Sequence, residues 1–319
     1  GTRDRYGGVW HRRTRECSYH KFASFGHNSN LNTHQGRSVA NLPVKLQVNR
    51  GQIVTWRRQS ATMERMSATA EEILDGLDEA QRAAATAVDG PVRIIAGAGA
   101  GKTRTVTRRI AYACATKAWN PRSTIAVTFS VKAAAEMRSR LSKLDVAADV
   151  KAATFHSAAL HQLRQVWPDV CEGPMPFISR NPRELVERSL RRVTTFQVDD
   201  DTIRNLQAEI NWCKISLIAP EDYARVCAAT HRQPPSGLEP SQFVDVYKAY
   251  EAEKTNRNEI DFDDILLIVC HLMESDEEVA SAIRSNIRWL TVDEYQDVSP
   301  LTHRLLPRGL GTHRNICVE

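Results

Sequence analysis

The sequence predicts an α/β fold, a parallel sheet covered on both faces with a mostly helical segment inserted into it. Three observations carry that reading. Short apolar runs alternate with amphipathic stretches from Val92 to Val166. Helical patterns alone fill residues 168–258, and an apolar run returns at Trp289–Asp293, ahead of acidic residues. Strand and helix in alternation build βαβ units, whose strands are buried on both sides. An alternation that stops and resumes describes a discontinuous domain.

Taken in order, Glu71–Val88 reads as a helix and Val92–Ala96 as a short buried strand. A glycine loop follows, then a helix from Lys102 to Thr116. Ser123–Phe129 is a strand and Lys132–Leu144 a helix; Val150–Phe155 is a strand and His156–Val166 a helix. In the insert, Pro182–Val193, Thr202–Ile215, Pro220–Ala229 and Ser241–Lys254 have helical spacing, with loops at Gly173–Pro176 and Gln233–Pro240. Asp261–Glu274 and Glu277–Ser285 are helical again, before the strand Trp289–Asp293. The predicted organisation is a first part of the sheet domain at 67–167, the insert at 168–258 and the second part at 259–319, preceded by a different kind of segment at 1–66.

That first segment carries the charge. Residues 1–62 hold 11 Lys and Arg against 2 Asp and Glu, leaving 32 basic and 36 acidic side chains for the rest. The net charge of +5 is therefore no argument for a nucleic-acid partner of the main domain, which must be argued from local motifs. Residues 1–66 are expected to be a disordered or artefactual basic extension, since no Met precedes Met63 and Met66. Only Val44–Val48 and Gln52–Trp56 have strand patterning there, and no apolar core marks a signal peptide. No run of 18 apolar residues spans a membrane. Seven scattered cysteines without a C-x-x-C pair point to reduced thiols of a cytoplasmic protein rather than a zinc site or a disulfide frame.

The chemistry starts at Ala96-Gly97-Ala98-Gly99-Ala100-Gly101-Lys102-Thr103, a Walker A pattern with Ala96 at the first glycine position. It lies between a predicted strand and a predicted helix, as a phosphate loop requires. Small residues let backbone N–H groups turn toward phosphate oxygens, and the helix N-terminus adds partial positive charge. Lys102 supplies a point charge for the β and γ phosphates, and Thr103 a hydroxyl for Mg²⁺. Such a loop needs an acidic partner at the end of another strand, which Asp293-Glu294 supplies: Asp293 for the cation and Glu294 to activate the attacking water.

These motifs resemble the front half of UvrD/Rep/PcrA-type superfamily 1 DNA helicases over residues 67–318, most nearly the second UvrD-like branch of actinobacteria. Asp293-Glu294-Tyr295-Gln296-Asp297 is similar to motif II, D-E-x-Q-D, and Leu77-Asp78-x-x-Gln81 to the adenine-reading L-N-x-x-Q. The resemblance implies a RecA-like P-loop motor domain using ATP and Mg²⁺, with Gln81 on the adenine edge and Arg104 near the base. Thr128-Phe129-Ser130-Val131-Lys132-Ala133-Ala134-Ala135-Glu136-Met137 resembles motif Ia and Thr154-Phe155-His156-Ser157 motif Ib. By resemblance Phe129, Thr154, Phe155 and His156 contact single-stranded DNA, Phe129 by stacking on bases; Ser130-Val131 departs from the usual Thr-Asn. Read from the residues alone, Phe129 and Phe155 at strand ends are more often core positions. Ile260-Asp261-Phe262-Asp263-Asp264-Ile265-Leu266 resembles the segment where the chain re-enters the motor domain, and its carboxylates suit helix N-capping. The resemblance makes the helical insert a subdomain lying over the strand; Trp212, Lys214, Arg225, Tyr247 and Lys248 fall on its helices, as surface, core or DNA contacts.

The sequence reaches Ile316-Cys317-Val318-Glu319 without motif III or the second-motor arginines, and Pro307-Arg308-Gly309-Leu310-Gly311 fits poorly where the family's helix after motif II continues. The expectation is the ATP-binding portion of a 3′–5′ DNA translocase and helicase acting in repair or replication, located in the cytoplasm at the nucleoid. The fragment itself is expected to be inactive in unwinding and to have no stable protein partner. The alternatives are a non-catalytic ATP- or DNA-binding remnant and a RecB/AddA-type helicase–nuclease subunit. Another kind of P-loop ATPase is a further rival, and the L-S-G-G-Q of transporter ATPases is absent.

Overall fold

Five strands form one parallel sheet in the order β1-β7-β6-β2-β3. They are β1 (Val92–Arg93), β2 (Thr124–Thr128), β3 (Lys151–Thr154), β6 (Trp289–Val292) and β7 (Ile316–Val318). The computed structural model describes residues 70–97, 99–194 and 198–319. The basic segment 1–66, with the strand patterning at Val44–Val48 and Gln52–Trp56, lies outside the described residues, as does Ala98. The helices of the sheet unit are α1 (Glu79–Thr86), α2 (Lys102–Ala115), α3 (Val131–Ser142) and α4 (Phe155–Val170). The insert brings β4 (Phe177–Ile178), α5 (Pro182–Val193), α6 (Asp200–Ile215), α7 (Pro220–Thr230), α8 (Pro240–Asn256) and β5 (Glu259–Ile260). Then come α9 (Phe262–Ser275), α10 (Glu277–Ser285) and α11 (Pro300–Leu310).

Two compact units emerge: residues 160–272, and residues 70–159 together with 273–319. In the second, β2 is buried along its whole length, as a central parallel strand must be. Val106 and Ile110 of α2 and Met137 and Leu141 of α3 are buried in the same apolar cluster as Ala126 of β2. Each such side chain contributes about 1.5–3 kcal/mol by leaving water.

The predicted helix Glu71–Val88 is two pieces. Residues 70–74 are helical, Gly76 takes φ +71°, and α1 starts afresh behind Asp78. The side chain of Asp78 accepts from the Gln81 N–H at 2.8 Å, and Gln81 Oε1 accepts from the Asp78 N–H at 3.2 Å. That reciprocal capping box creates a helix start inside a continuous helical pattern. At the other end of α1, the buried Arg109 of α2 donates twice to the Ala87 carbonyl, at 3.0 and 2.7 Å, and its guanidinium lies over Trp119. Burial pulls the Arg109 pKa below the ordinary arginine value, with Cys317 and Asp89 opposing.

Three more differences have local causes. The strand expected over Val92–Ala96 pairs only through β1 and one further bond, Ile94 N–H to the Val318 carbonyl at 2.9 Å, because the glycine loop turns the chain away. Pro307 does not end the last helix: α11 runs to Leu310 and stops at Gly311, φ +57°. The short parallel pair β4 and β5, joining Phe177 to Glu259 and Ile178 to Ile260, was hidden in the helical segment because two-residue strands carry no periodicity.

In the insert unit α5, α6, α7 and α8 enclose a core that includes Leu190, Leu206, Ile210, Tyr223, Phe243 and Tyr250. Below it lies a charged cluster. Lys214 and Lys254, 3% and 0% exposed, share the carboxylates of Glu251, Asp261 and Asp264. Tyr250 Oη donates to Asp261 at 3.0 Å. Asp261 and Asp264 also cap each other's backbone N–H at 3.0 and 2.8 Å, the capping role expected of them. The three carboxylates lie close enough together to hold a cation, and two lysine ammonium groups already fill that role. Lys214 and Tyr247 are therefore interior residues of the unit. Cys114, Cys213, Cys227 and Cys317 are buried free thiols; Cys171 departs from the expectation of reduced thiols, being disulfide-bonded.

Candidate nucleotide site at the carboxyl edge of the sheet

The phosphate loop, the acidic pair and the candidate DNA residues stand at or just beyond the carboxyl ends of strands, where open parallel sheets bind ligands. The phosphate loop follows β1. Gly99 and Gly101 have φ +78° and +74°, values that a side chain strains, so glycine is required at both. Gly101 is the N-cap of α2 and supplies no side-chain cap. The first N–H groups of α2 are thus left for an external acceptor, the arrangement that binds phosphate. Lys102 and Thr103 open that helix, and Ala96, Gly97 and Ala100 form the loop before it, with Ala100 N–H on the Gly97 carbonyl at 3.2 Å.

Residues expected near the base gather beside the loop. Gln81 Nε2 donates to the Ala100 carbonyl at 3.0 Å, and a Cβ on Gly101 would stand 3.1 Å from the same nitrogen. The Arg104 guanidinium covers Gly76, where a Cβ would meet it at 2.8 Å. Gln81 and Arg104 thus reach the phosphate loop and the turn before α1, far apart in sequence from each other.

On β6, Asp293 keeps the ladder, its N–H donating to the Val127 carbonyl at 2.9 Å. Its side chain is 4% exposed, and Oδ1 has no hydrogen-bond partner. Glu294 then takes φ +55°, ψ +49°, a left-handed conformation that costs a non-glycine residue about 1–2 kcal/mol. Such strain clusters at functional sites. The turn aims the Glu294 carboxylate back at the phosphate loop, 3.8 Å from Lys102 Nζ. Gln296 Nε2 donates to the same Glu294 oxygen, a contact that reading the sequence did not identify.

Reading the sequence also missed Glu319, at the end of β7, the strand between β1 and β6. Its N–H donates to the Val292 carbonyl at 3.1 Å and its carbonyl accepts from the Tyr295 N–H at 2.7 Å. Burial pushes the Glu319 carboxyl up to about 9; the adjacent Asp293 carboxyl and Glu294 add to this and Lys102 opposes it. The only available signal was its position after an apolar strand, which the motif patterns do not weigh.

The orphaned, buried Asp293 Oδ1 fits a bound cation, and the Thr103 hydroxyl at the start of α2 is of the same hard-oxygen chemistry that suits Mg²⁺. Bound there, Mg²⁺ would neutralise phosphate charge.

The candidate DNA residues lie further along the same edge. Because Thr128 pairs with Thr154 across β2 and β3, the next residues are neighbours. Phe129 and Phe155 meet with ring centroids 5.0 Å apart. Phe129 is 38% exposed and Phe155 7%, so one ring offers a face and the other supports it. Thr154 is buried, and its Oγ1 accepts from the Ser157 N–H at 3.1 Å, capping the start of α4. His156 is half-buried on the first turn of α4.

Residues 77–318 match the family described as the UvrD/REP helicase N-terminal domain. The chain belongs to that family. It is 41% identical over 263 residues to a protein of Mycobacterium tuberculosis named ATP-dependent DNA helicase UvrD2, covering 79% of this chain and 37% of that protein. Proteins named ATP-dependent DNA helicase PcrA are 30% identical in Leuconostoc citreum, over 78% of this chain and 33% of the relative, and 28% identical in Bacillus subtilis, over 79% and 34%. The chain thus spans little more than a third of the length of these relatives. For a UvrD/REP-family chain, the parallel sheet and its strand-end motifs are the expected RecA-like frame. No described helix is long and apolar enough to cross a membrane.

Proposed function

We propose that this chain is the N-terminal ATP-binding portion of an ATP-dependent DNA helicase that translocates 3′ to 5′ on single-stranded DNA. The observation that carries the reading is the approach of Lys102 to Glu294, 3.8 Å apart beside an uncapped helix N-terminus, with Thr103 and Asp293 their next neighbours in the chain. In this reading the loop from Ala96 to Thr103, through Ala98, binds the ATP phosphates, and Gln81 and Arg104 face the base. Thr103 and Asp293 hold Mg²⁺, and Glu294 takes the proton of the attacking water. The exposed ring of Phe129 stacks on single-stranded bases, with Thr154, Phe155 and His156 beside it. Residues 67–167 and 259–319 make the motor domain, and residues 168–258 a helical insert in its sequence. A role in repair or replication, at the nucleoid and without a stable protein partner, follows from the same family reading.

An arginine supplied by a second wall is worth about 10³–10⁵ in phosphoryl-transfer rate. The sequence in hand holds no match to the second-motor motifs that carry it. The 319 residues alone are therefore expected to bind ATP and single strands weakly and not to unwind duplex. The test is steady-state ATP hydrolysis with and without single-stranded DNA, Lys102→Ala serving as control. A DNA-stimulated, Lys102-dependent rate means that a catalytic unit assembles from this chain. Nucleotide binding without turnover makes it one half of a motor. No Lys102-dependent binding of nucleotide removes the reading.

A further inference from the structure

The strand order places β7 between the phosphate-loop strand β1 and the Asp293 strand β6. Register fixes what stands at its end: Val318 pairs with Val292 on one side and Arg93 on the other, so the next residue, Glu319, is level with Asp293. Two backbone hydrogen bonds, to Val292 and from Tyr295, clamp Glu319 against the turn that carries Glu294. The Glu319 side chain is 8% exposed and that of Asp293 4%. Each keeps a buried oxygen without a hydrogen-bond partner, Glu319 Oε2 and Asp293 Oδ1.

Two adjacent buried carboxyls, hydrogen-bonded to each other and each with an unmade acceptor, are relieved by a shared proton or by a cation. The nearest ammonium, Lys102 Nζ, is directed to Glu294 at 3.8 Å. Counted as ionised, the side chains of Asp293, Glu294 and Glu319 with Lys102 leave a balance of two negative charges. A divalent cation meets both demands, and one or two carboxylates with water completing the shell is the ordinary way a protein holds Mg²⁺.

We propose that Glu319 and Asp293 together form a divalent-cation site that binds Mg²⁺ or Mn²⁺ before any nucleotide arrives. This rests on the reading of Asp293 as a cation ligand and adds Glu319 as a second carboxylate ligand. The cation is then already seated beside Thr103 when phosphates enter. Nucleotide-free Mn²⁺ binding and nucleotide binding become separable properties of one strand edge.

The experiment is a titration of the purified chain with Mn²⁺ in the absence of nucleotide, followed by the loss of the free-ion electron paramagnetic resonance signal, with Mg²⁺ as competitor. Wild type is expected to bind one ion. Glu319→Gln, which keeps shape and removes charge, is expected to weaken Mn²⁺ by about tenfold or more, the scale on which even outer-sphere partners act. Glu319→Ala should do the same, and circular dichroism melting confirms that each variant is folded. Fluorescent ADP binding, measured in parallel without metal, reports the phosphate loop on its own. Its loss with Mn²⁺ binding intact would count against the nucleotide reading and not against the cation site. Equal Mn²⁺ affinity in wild type and both folded variants overturns the proposal. So does the absence of Mn²⁺ binding by wild type at millimolar concentration, which would mean that a shared proton joins the two carboxyls.

Discussion

The Lys102 ammonium stands 3.8 Å from a carboxylate oxygen of Glu294, joining the phosphate loop after β1 to the acidic turn after β6. Lys102 is the group expected to meet the phosphates and Glu294 the one expected to activate water. In this geometry each is the other's counter-ion, and phosphates arriving at Lys102 would compete with Glu294 for it. Gln296 also donates to Glu294.

Lys102→Ala should therefore separate binding from stability. The ion pair is partly exposed, and pairs of that kind contribute about 0–1 kcal/mol. The melting temperature should hardly move, while affinity for a fluorescent ATP analogue falls by about tenfold or more. Calorimetric melting and a fluorescence titration on one preparation check both halves.

Asp78→Ala removes the side chain that caps α1 and orients Gln81. A lost N-cap costs about 1 kcal/mol, to be read from urea denaturation. Gln81→Ala keeps the Asp78 cap on the Gln81 N–H and loses the bond to the Ala100 carbonyl. It should leave stability nearly unchanged and narrow the preference for ATP over GTP, measured by competition. An unchanged preference would remove Gln81 from the base site.

Phe129→Ala and Phe155→Ala should differ in kind. Truncating the exposed Phe129 ring should weaken oligo(dT) binding by about 1–3 kcal/mol, the value of one stacked base. Truncating the buried Phe155 should cost about 3–5 kcal/mol of stability, as large-to-small core changes do. Fluorescence anisotropy with a labelled oligonucleotide and a denaturation curve for each variant tell them apart.

The charged cluster of the insert unit sets a pH window. Burial alone would lower the Lys214 and Lys254 pKa values, but Asp261, Asp264 and Glu251 outweigh it and hold both well above 10.5. Burial alone would raise Asp261, yet Lys214 and Lys254 hold it far below 3.8. The stability from the lysines is complete below pH 10.5 and is lost as pH rises through their folded values. That from Asp261 is complete above pH 3.8 and is lost as pH falls toward its folded value. The cluster's contribution to the denaturant midpoint should be flat between these limits and fall outside them. Lys254→Met should lower stability by about 3–5 kcal/mol, because it leaves buried carboxylates short of a counter-ion.

Much of this was legible in advance because it depends on near neighbours in the chain. The phosphate loop needs small residues and a lysine at fixed spacing, and an apolar strand followed by Asp293-Glu294 needs four or five residues. The failures were equally local in origin. A helix pattern through Glu71–Val88 hides a break, because the capping box of Asp78 and Gln81 and the left-handed Gly76 compete with it. The segment Pro307–Gly311 looked a poor fit to a continuing helix, yet α11 runs through Pro307 and stops at Gly311. Lys214 and Tyr247 were open as surface, core or DNA contacts, and the carboxylates that hold Lys214 in the interior lie up to 50 residues away.

By itself, the sequence determined the family, the sheet interrupted by a helical segment, and the chemistry of the phosphate loop and its acidic partner. The interrupted sheet follows from periodicity and the loop chemistry from short-range spacing, and the family from the resemblance of the motifs. Tertiary structure alone decided which groups share a site. Strand order put β7 between β1 and β6 and so set Glu319 beside Asp293; parallel register set Phe129 against Phe155 with one ring exposed; and chain turns brought Gln81 to the Ala100 carbonyl. Pairing between strands far apart in the chain is fixed by hydrogen-bond register and core packing, and neither leaves a mark on the local sequence.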